Sequence, residues 1–324
     1  MRERDWAALT AGAHASEEGQ RALLADTQLG HKASPDGIAD AIVFLAGDGS
    51  RYMTGTELVV DGGSTAQKET VLKINDIAAI VTGGASGLGG ATAAMLAARG
   101  ARVTIVDRDR EAAEAHATAI GGRAAIVDVT DDAAIEAALA EAEQAHGVAR
   151  ILVNCAGVAP AIKTVGKENV PHPLDAFRRA VEINLIGTFA MIARFSARLV
   201  AAEPIGEERG VIVNTASVVA YDGQVGQAAY AASKGGVVGM TLPIARDLSQ
   251  HRIRVMTIAP GIFLTPMLMG LPQAAQDSLG TQVPHPSRLG KPDEYAALVE
   301  AILTNPMLNG DVIRLDGAIR MAPR

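Results

Sequence analysis

From residue 77 onward, short unbroken apolar runs alternate with alanine-rich stretches of helical character. Residues 77–81 (Ile-Ala-Ala-Ile-Val) carry no polar alternation, the pattern of a strand covered on both faces in a parallel sheet. A glycine-rich turn follows, then an alanine-rich stretch over 91–99 that predicts a helix, then a second apolar run over 102–106. Strands alternating with helices in this way predict one large α/β core. Ahead of it, residues 35–45 read as a helix with an apolar face, followed by the strand-like stretch 51–63, with 23–30 as the segment before them. The same two elements recur at 292–303 and 309–317, so the chain repeats its tail but not its beginning. The expected organisation is a fragment and linker over 1–70, with Gly62 to Lys68 as the linker, and a complete domain over 71–324.

The turn after the first strand reads Thr82-Gly83-Gly84-Ala85-Ser86-Gly87-Leu88-Gly89. Strand, glycine turn and helix form the context in which a backbone approaches a pyrophosphate at a helix N-terminus. The second strand runs into Asp107, about twenty residues on, where a carboxylate binds an adenosine ribose diol. A carboxylate there repels a 2′-phosphate, so NAD is expected in preference to NADP; Arg108 beside it pulls the other way.

Farther along, Ser217 stands thirteen residues ahead of Tyr230, and Tyr230 stands one helical turn ahead of Lys234. A phenol titrates near 10 when unperturbed, and a nearby ammonium favours its phenolate. A serine hydroxyl can hold a substrate oxygen while the tyrosine exchanges a proton with it. That is equipment for interconverting an alcohol and a carbonyl, given a redox cofactor alongside.

These residues, in this order, resemble the short-chain dehydrogenase/reductase family over 71–324. The likeness extends to Asp128-Val129, to Asn154-Cys155-Ala156-Gly157, to Asn184 and to Pro260-Gly261 with Thr265. It implies a Rossmann-type doubly wound parallel sheet. It implies that NAD is held by Gly83, Ser86, Gly87, Leu88, Gly89, Asp107, Asp128, Val129, Asn154, Cys155, Gly157, Tyr230, Lys234, Pro260, Phe263 and Thr265. It implies catalysis by Ser217, Tyr230, Lys234 and Asn184, with Asn184 holding a water that links Lys234 to solvent. Within the family, Gly223-Gln224-Val225-Gly226-Gln227, Pro286-Ser287-Arg288-Leu289-Gly290 and the long 201–210 connection resemble the type II 3-hydroxyacyl-CoA dehydrogenase subgroup, also described as 17β-hydroxysteroid dehydrogenases. That closer likeness implies a 3-hydroxyacyl-CoA substrate oxidised with Tyr230 as base, with hydroxysteroids or other secondary alcohols as the alternative and a non-catalytic scaffold as the contrasting class. Gln224 is the candidate substrate contact. A homo-oligomer, a tetramer by family resemblance, is implied as well.

Composition alters this picture little. The chain is 48% hydrophobic and 20% charged with a formal net charge of −7, which gives no general attraction to nucleic acid or an anionic membrane. Arg288 is either a compensating cation for CoA or an ordinary surface ion-pair partner. The single cysteine excludes an intrachain disulfide and suits a reducing cytoplasm. Seven scattered histidines show no ligand spacing, so no metal is expected, and no run is expected to span a bilayer. Three readings of residues 1–70 stand open: a gene remnant with the functional start near Val71, a segment docked on this domain or a neighbouring subunit, and a regulatory or partner-binding arm.

Overall fold

A computed structural model of the chain describes residues 34–47, 73–270 and 272–323. The chain divides into two compact units, Met1–Lys68 and Glu69–Arg324. In the first, helix α1 (Pro35–Ala46) is capped by Ser34, whose hydroxyl accepts from the Gly37 amide, and has proline at its start. The expected strand at 51–63, the preceding 23–30 segment, the 62–68 linker and Val71 lie outside the described residues.

The second unit is built on seven parallel strands: β1 (Ala78–Thr82), β2 (Arg102–Asp107), β3 (Arg123–Ile126), β4 (Ile151–Asn154), β5 (Gly210–Thr215), β6 (Ile253–Pro260) and β7 (Val312–Leu315). Their order is β3-β2-β1-β4-β5-β6-β7, the doubly wound arrangement expected. Successive side chains on a strand point to opposite faces, and the core divides accordingly. Ala79 and Val81, Ile151 and Val153, Val211 and Val213 pack on one face, while Ile80, Leu152 and Ile212 pack on the other. The first face is covered by α2 (Gly87–Ala98), α3 (Arg110–Ile120) and the last helix, through residues such as Leu96, Ala113 and Val299. The second is covered by α4 (Asp132–His146) and the long helix after β4, through Ile135, Leu139, Met191 and Phe195. Asp109 and Asp131 cap α3 and α4 by accepting from Ala112 and Ala134. Helix α2 begins at Gly87, four residues earlier than expected, because the glycine turn itself forms the first turn and carries no apolar periodicity.

The long helix is α5 (Leu174–Val181), a π turn (Glu182–Ile186) and α6 (Gly187–Leu199) in continuous succession. By length and composition the run Leu174–Leu199 is apolar enough to cross a bilayer, which corrects the expectation that no such run exists. Its apolar content serves the core instead: Ile183, Met191, Ile192, Phe195 and Leu199 are buried against the sheet. After β5 come α7 (Ala228–Ser249), then β6, α8 (Pro266–Met269), α9 (Gln273–Thr281) and α10 (Pro292–Thr304).

A buried ion pair fastens the 201–210 connection to the last helix. Arg254 on β6 lies 3.1 Å from Glu208, and both side chains are almost fully buried. The Arg254 guanidinium also donates to the carbonyls of Ile302, Leu303 and Leu308, satisfying the open C-terminal end of α10. Burial pushes the Glu208 carboxyl above its usual range, with Arg254 opposing. Removing one partner strands the other charge, at a cost of about 3–5 kcal/mol. Arg254→Leu should therefore lower the melting temperature by about 10 °C; a shift under about 2 °C in calorimetry would reduce the pair to a surface-like contact.

Candidate active site

Strand order reverses between β1 and β4, and the crevice at the carboxyl ends of strands at such a point is where α/β sheets bind ligands. Two adjoining cavities open there, of about 400 Å³ and 410 Å³, sharing Leu88, Cys155, Gly157, Val158 and Thr265 in their walls.

The first cavity is shaped by the glycine turn. Gly83 has φ +62°, and a Cβ there would lie 2.7 Å from the Ala156 amide nitrogen. A Cβ on Gly89 would press on the Gly83 carbonyl oxygen. The turn and the β4 end are thus packed backbone to backbone. Thr82 fastens them, its hydroxyl accepting from the Cys155 and Ala156 amides at 3.1 and 3.2 Å. Ser86, the residue before α2, makes no side-chain cap bond, which leaves the first N–H groups of the helix available to an anion. Asp107 closes the far end. Its carboxylate accepts from the Ala85 and Asp109 amides at 3.2 and 3.1 Å, and Arg108, Asp128 and Val129 line the wall nearby. The Asp128 carboxyl is held below its usual range, chiefly by the Thr130 amide, with Thr130 hydroxyl, Arg108 and Arg179 adding to the effect against burial. A backbone cradle at a helix N-terminus with a carboxylate at its far end fits a dinucleotide.

The second cavity gathers the candidate proton-transfer groups. Ser217, Tyr230 and Lys234 all line it, with Gln224, Pro260, Phe263 and Thr265. Helix α7 presents Tyr230 and Lys234 on one face. Burial raises the Tyr230 phenol pKa, and a hydrogen bond with Ser217 lowers it. The Lys234 ammonium donates to the Thr215 carbonyl at 2.6 Å, and burial pulls its pKa down to about 8. Burial thus outweighs the Ser217 hydrogen bond at Tyr230.

Asn184 lies in the π turn, fully buried. Its Nδ2 donates to the Val158 carbonyl and to Ser233 Oγ at 2.8 and 2.9 Å, while its Oδ1 accepts from the Val158 amide at 2.8 Å. Both amide donors are committed, so a water relay to Lys234 falls to its oxygen atoms alone. Gly157 allows Asn184 and Lys234 to come together, since a Cβ there would lie 3.0 Å from Asn184 Oδ1 and 3.5 Å from Lys234 Nζ.

The structure gives three of the named residues specific partners. Asn154 lines neither cavity; its Nδ2 donates to Asn214 Oδ1 at 2.9 Å, bracing β4 against β5. Gln224 reaches the second cavity, but its Nε2 is spent on the Ala322 carbonyl at 2.8 Å. Arg288 forms a two-pronged ion pair with Glu294 at 2.6 and 2.9 Å, which lowers the Glu294 carboxyl to about 2, the hydrogen bond from Arg288 being the first cause. Arg288 is thus an ion-pair partner rather than a spare cation. Sequence reasoning missed Thr215, whose carbonyl seats Lys234, because a main-chain acceptor leaves no side-chain signature. It also missed fully buried Tyr295, whose hydroxyl lies 2.7 Å from Thr215 Oγ1.

The chain resembles known proteins in sequence and in fold. A family model described as short chain dehydrogenase matches residues 77–276, and one described as Enoyl-(Acyl carrier protein) reductase matches 6–65. The chain is 53% identical over 254 residues to the 3-hydroxyacyl-CoA dehydrogenase type-2 of Homo sapiens, covering 77% of this chain and 97% of that protein. It is 34% identical to the ipsdienol dehydrogenase of Ips pini, over 77% of this chain and 99% of that one. A crystal structure of 3-hydroxyacyl-CoA dehydrogenase type-2 from Mycobacterium avium matches with a TM-score of 0.74 at 40% identity, covering 78% of this chain and all of that one. A family model matching most of the chain, and relatives aligned along nearly their whole length, make the chain an oxidoreductase that belongs to the short chain dehydrogenase family.

Proposed function

We propose that the enzyme oxidises a 3-hydroxyacyl-CoA to the 3-oxoacyl-CoA with NAD, using Tyr230 as general base. The observation that carries the reading is the cluster of Ser217, Tyr230 and Lys234 in a largely apolar cavity that adjoins the dinucleotide cradle. Ser217 hydrogen-bonds the substrate oxygen and Tyr230 takes the hydroxyl proton. Lys234, anchored on Thr215, stabilises the phenolate, each pKa unit of lowering being worth roughly 1.4 kcal/mol. NAD, when bound, supplies the acceptor for the two electrons and the hydrogen leaving the carbinol carbon. The acyl-CoA substrate class is supported by the relatives' names and by the 201–210 connection. The test is NADH formation by the full chain with 3-hydroxybutyryl-CoA, beside 17β-estradiol and a simple secondary alcohol. Turnover of the alcohols without the thioester would keep the proton chemistry and discard the acyl-CoA.

Asp107 supports NAD over NADP. A hydrogen bond to a charged group is worth about 1.5–3 kcal/mol. Asp107→Ser should therefore weaken NAD by about 10- to 100-fold and admit NADP, as read by calorimetric titration of both; an unchanged preference would assign selectivity elsewhere.

The reading extends to a homo-oligomer, a tetramer by resemblance, supported by Ile186 and Phe189, which stand exposed one turn apart on the long helix. A reducing compartment such as the cytoplasm is supported by the free thiol of Cys155. Residues 1–70 read as a partial second copy of the family's closing elements, supported by the match at 6–65. Aligned on their first prolines, α1 leaves Ile38, Ile42 and Leu45 exposed where α10 buries Tyr295, Val299 and Ile302.

A further inference from the structure

One wall of the catalytic cavity comes from neither helix nor strand. After β7 the chain runs through irregular backbone over 319–323, yet it is held in place along its length. Ile319 is buried at 2% exposure. The Arg314 guanidinium lies 2.6 Å from Asp222 and 2.7 Å from Asp316, and donates to the Ile319 carbonyl at 3.1 Å. It also sits 5.2 Å from the centre of the Tyr221 ring. Farther on, the Ala322 carbonyl accepts from Gln224 Nε2 at 2.8 Å, and the Pro323 carbonyl accepts from the Val225 amide at 3.1 Å. Every one of these partners outside the segment belongs to β7, its following turn or the 221–225 loop, and that loop leads directly into the helix that carries Tyr230.

Met321 falls between the two anchors. It lines the cavity with Val158, Val219, Ile262, Leu268 and Leu279, an apolar lining that suits an alkyl group. Methionine is unbranched and fills irregular gaps adaptably. Its backbone belongs to a strap outside the sheet, hydrogen-bonded to the Asp222 carboxylate at Met321 itself and held at its far end through Ala322 and Pro323.

We propose that the 319–323 strap is the specificity element of this site, with Met321 setting the length of the unbranched alkyl group that fits beside the reacting carbinol. The proposal rests on the acyl-CoA reading for its substrate and on the strap geometry for its residue. A longer chain meets the Met321 side chain; a shorter one leaves it in contact.

The experiment compares kcat/KM for 3-hydroxybutyryl-CoA and 3-hydroxyoctanoyl-CoA in the full chain, in Met321→Ala and in Met321→Phe. The octanoyl-to-butyryl ratio should rise about 10-fold or more in Met321→Ala, the range that one or two methylenes command in an apolar pocket. It should fall in Met321→Phe, with both changes mainly in KM and with NAD affinity by calorimetry unchanged. A ratio unmoved in both variants overturns the proposal. So does an equal loss on both substrates, which marks a merely structural strap. If the full chain turns over neither thioester, the acyl-CoA reading fails, and the same variants are compared on 2-butanol and 2-octanol. A matching ratio shift there upholds the strap; an unmoved ratio, or silence on both alcohols, overturns it.

Discussion

Tyr230→Phe should reduce turnover by about a thousandfold or more while NAD affinity stays within a factor of two or so, because on the proposed mechanism the change deletes the one oxygen that takes the hydroxyl proton and little else. General acid–base groups contribute roughly 10²- to 10⁴-fold, and this one also shares a hydrogen bond with Ser217. The group beside it sets a pH signature. Lys234 has a folded-state pKa of about 8 against an ordinary value of 10.5. It is therefore charged below about pH 8, where its burial costs stability in full, and that cost is relieved as pH rises from 8 toward 10.5. In the folded protein the ammonium that favours the phenolate is lost as pH rises through about 8. Residual turnover above about a tenth of the parent's would remove Tyr230 from the base role. Scaffold function, by contrast, would survive the substitution untouched.

The second large effect belongs to the glycine turn. Gly89→Ala should abolish measurable NAD binding and lower the melting temperature by several degrees, while Gly90→Ala one residue on should be neutral or slightly stabilising. A methyl on Gly89 presses on the Gly83 carbonyl and comes within 3.1 Å of the Cys155 Cβ, whereas one on Gly90 meets nothing nearer than 3.6 Å. Overpacking costs about 1–3 kcal/mol, and in a domain of this size each kcal/mol is worth about 2–4 °C. Alanine at an unhindered helical position gains up to about 1 kcal/mol over glycine. Calorimetry and NAD titration on the two variants side by side separate a steric requirement from a general dislike of change in the turn. Equal behaviour of the two would show that backbone closeness at Gly89 is not what shapes the cradle.

What could be read in the chain beforehand follows from what leaves a local trace. Strands such as β1 and β2 announce themselves because burial on both faces demands unbroken apolar runs, and Asp107 stands out as a carboxylate at the end of one. The helical spacing of Tyr230 and Lys234 survives as an interval in the sequence. Groups that act through the main chain leave no such trace, which is why the Thr215 carbonyl under Lys234 was invisible. Long-range partners are equally silent: nothing in Glu208 points to Arg254, nor in Gln224 to the Ala322 carbonyl. Arg288 was legible only as a cation; that Glu294 lies one helix start away and claims both its prongs needed the fold. Helix α2 reads too short in the sequence because glycines hide its periodicity.

The π turn at Glu182–Ile186 has an arithmetical consequence. An ordinary helix advances about 100° and 1.5 Å per residue, and a π turn accommodates one residue more than the α pitch provides. Deleting a single residue from 182–186 would let the backbone relax into an unbroken α-helix, which costs the helix nothing. The 174–181 and 187–199 portions would keep nearly their present phase, because the wide turn had absorbed the extra residue, but the outward-stepped turn that sets Asn184 against Val158 and Ser233 would be gone. Here the length of the text is itself the instruction. Exposed side chains along this helix can be exchanged one at a time, but Asn184 holds its place only while the stretch 182–186 keeps its five residues.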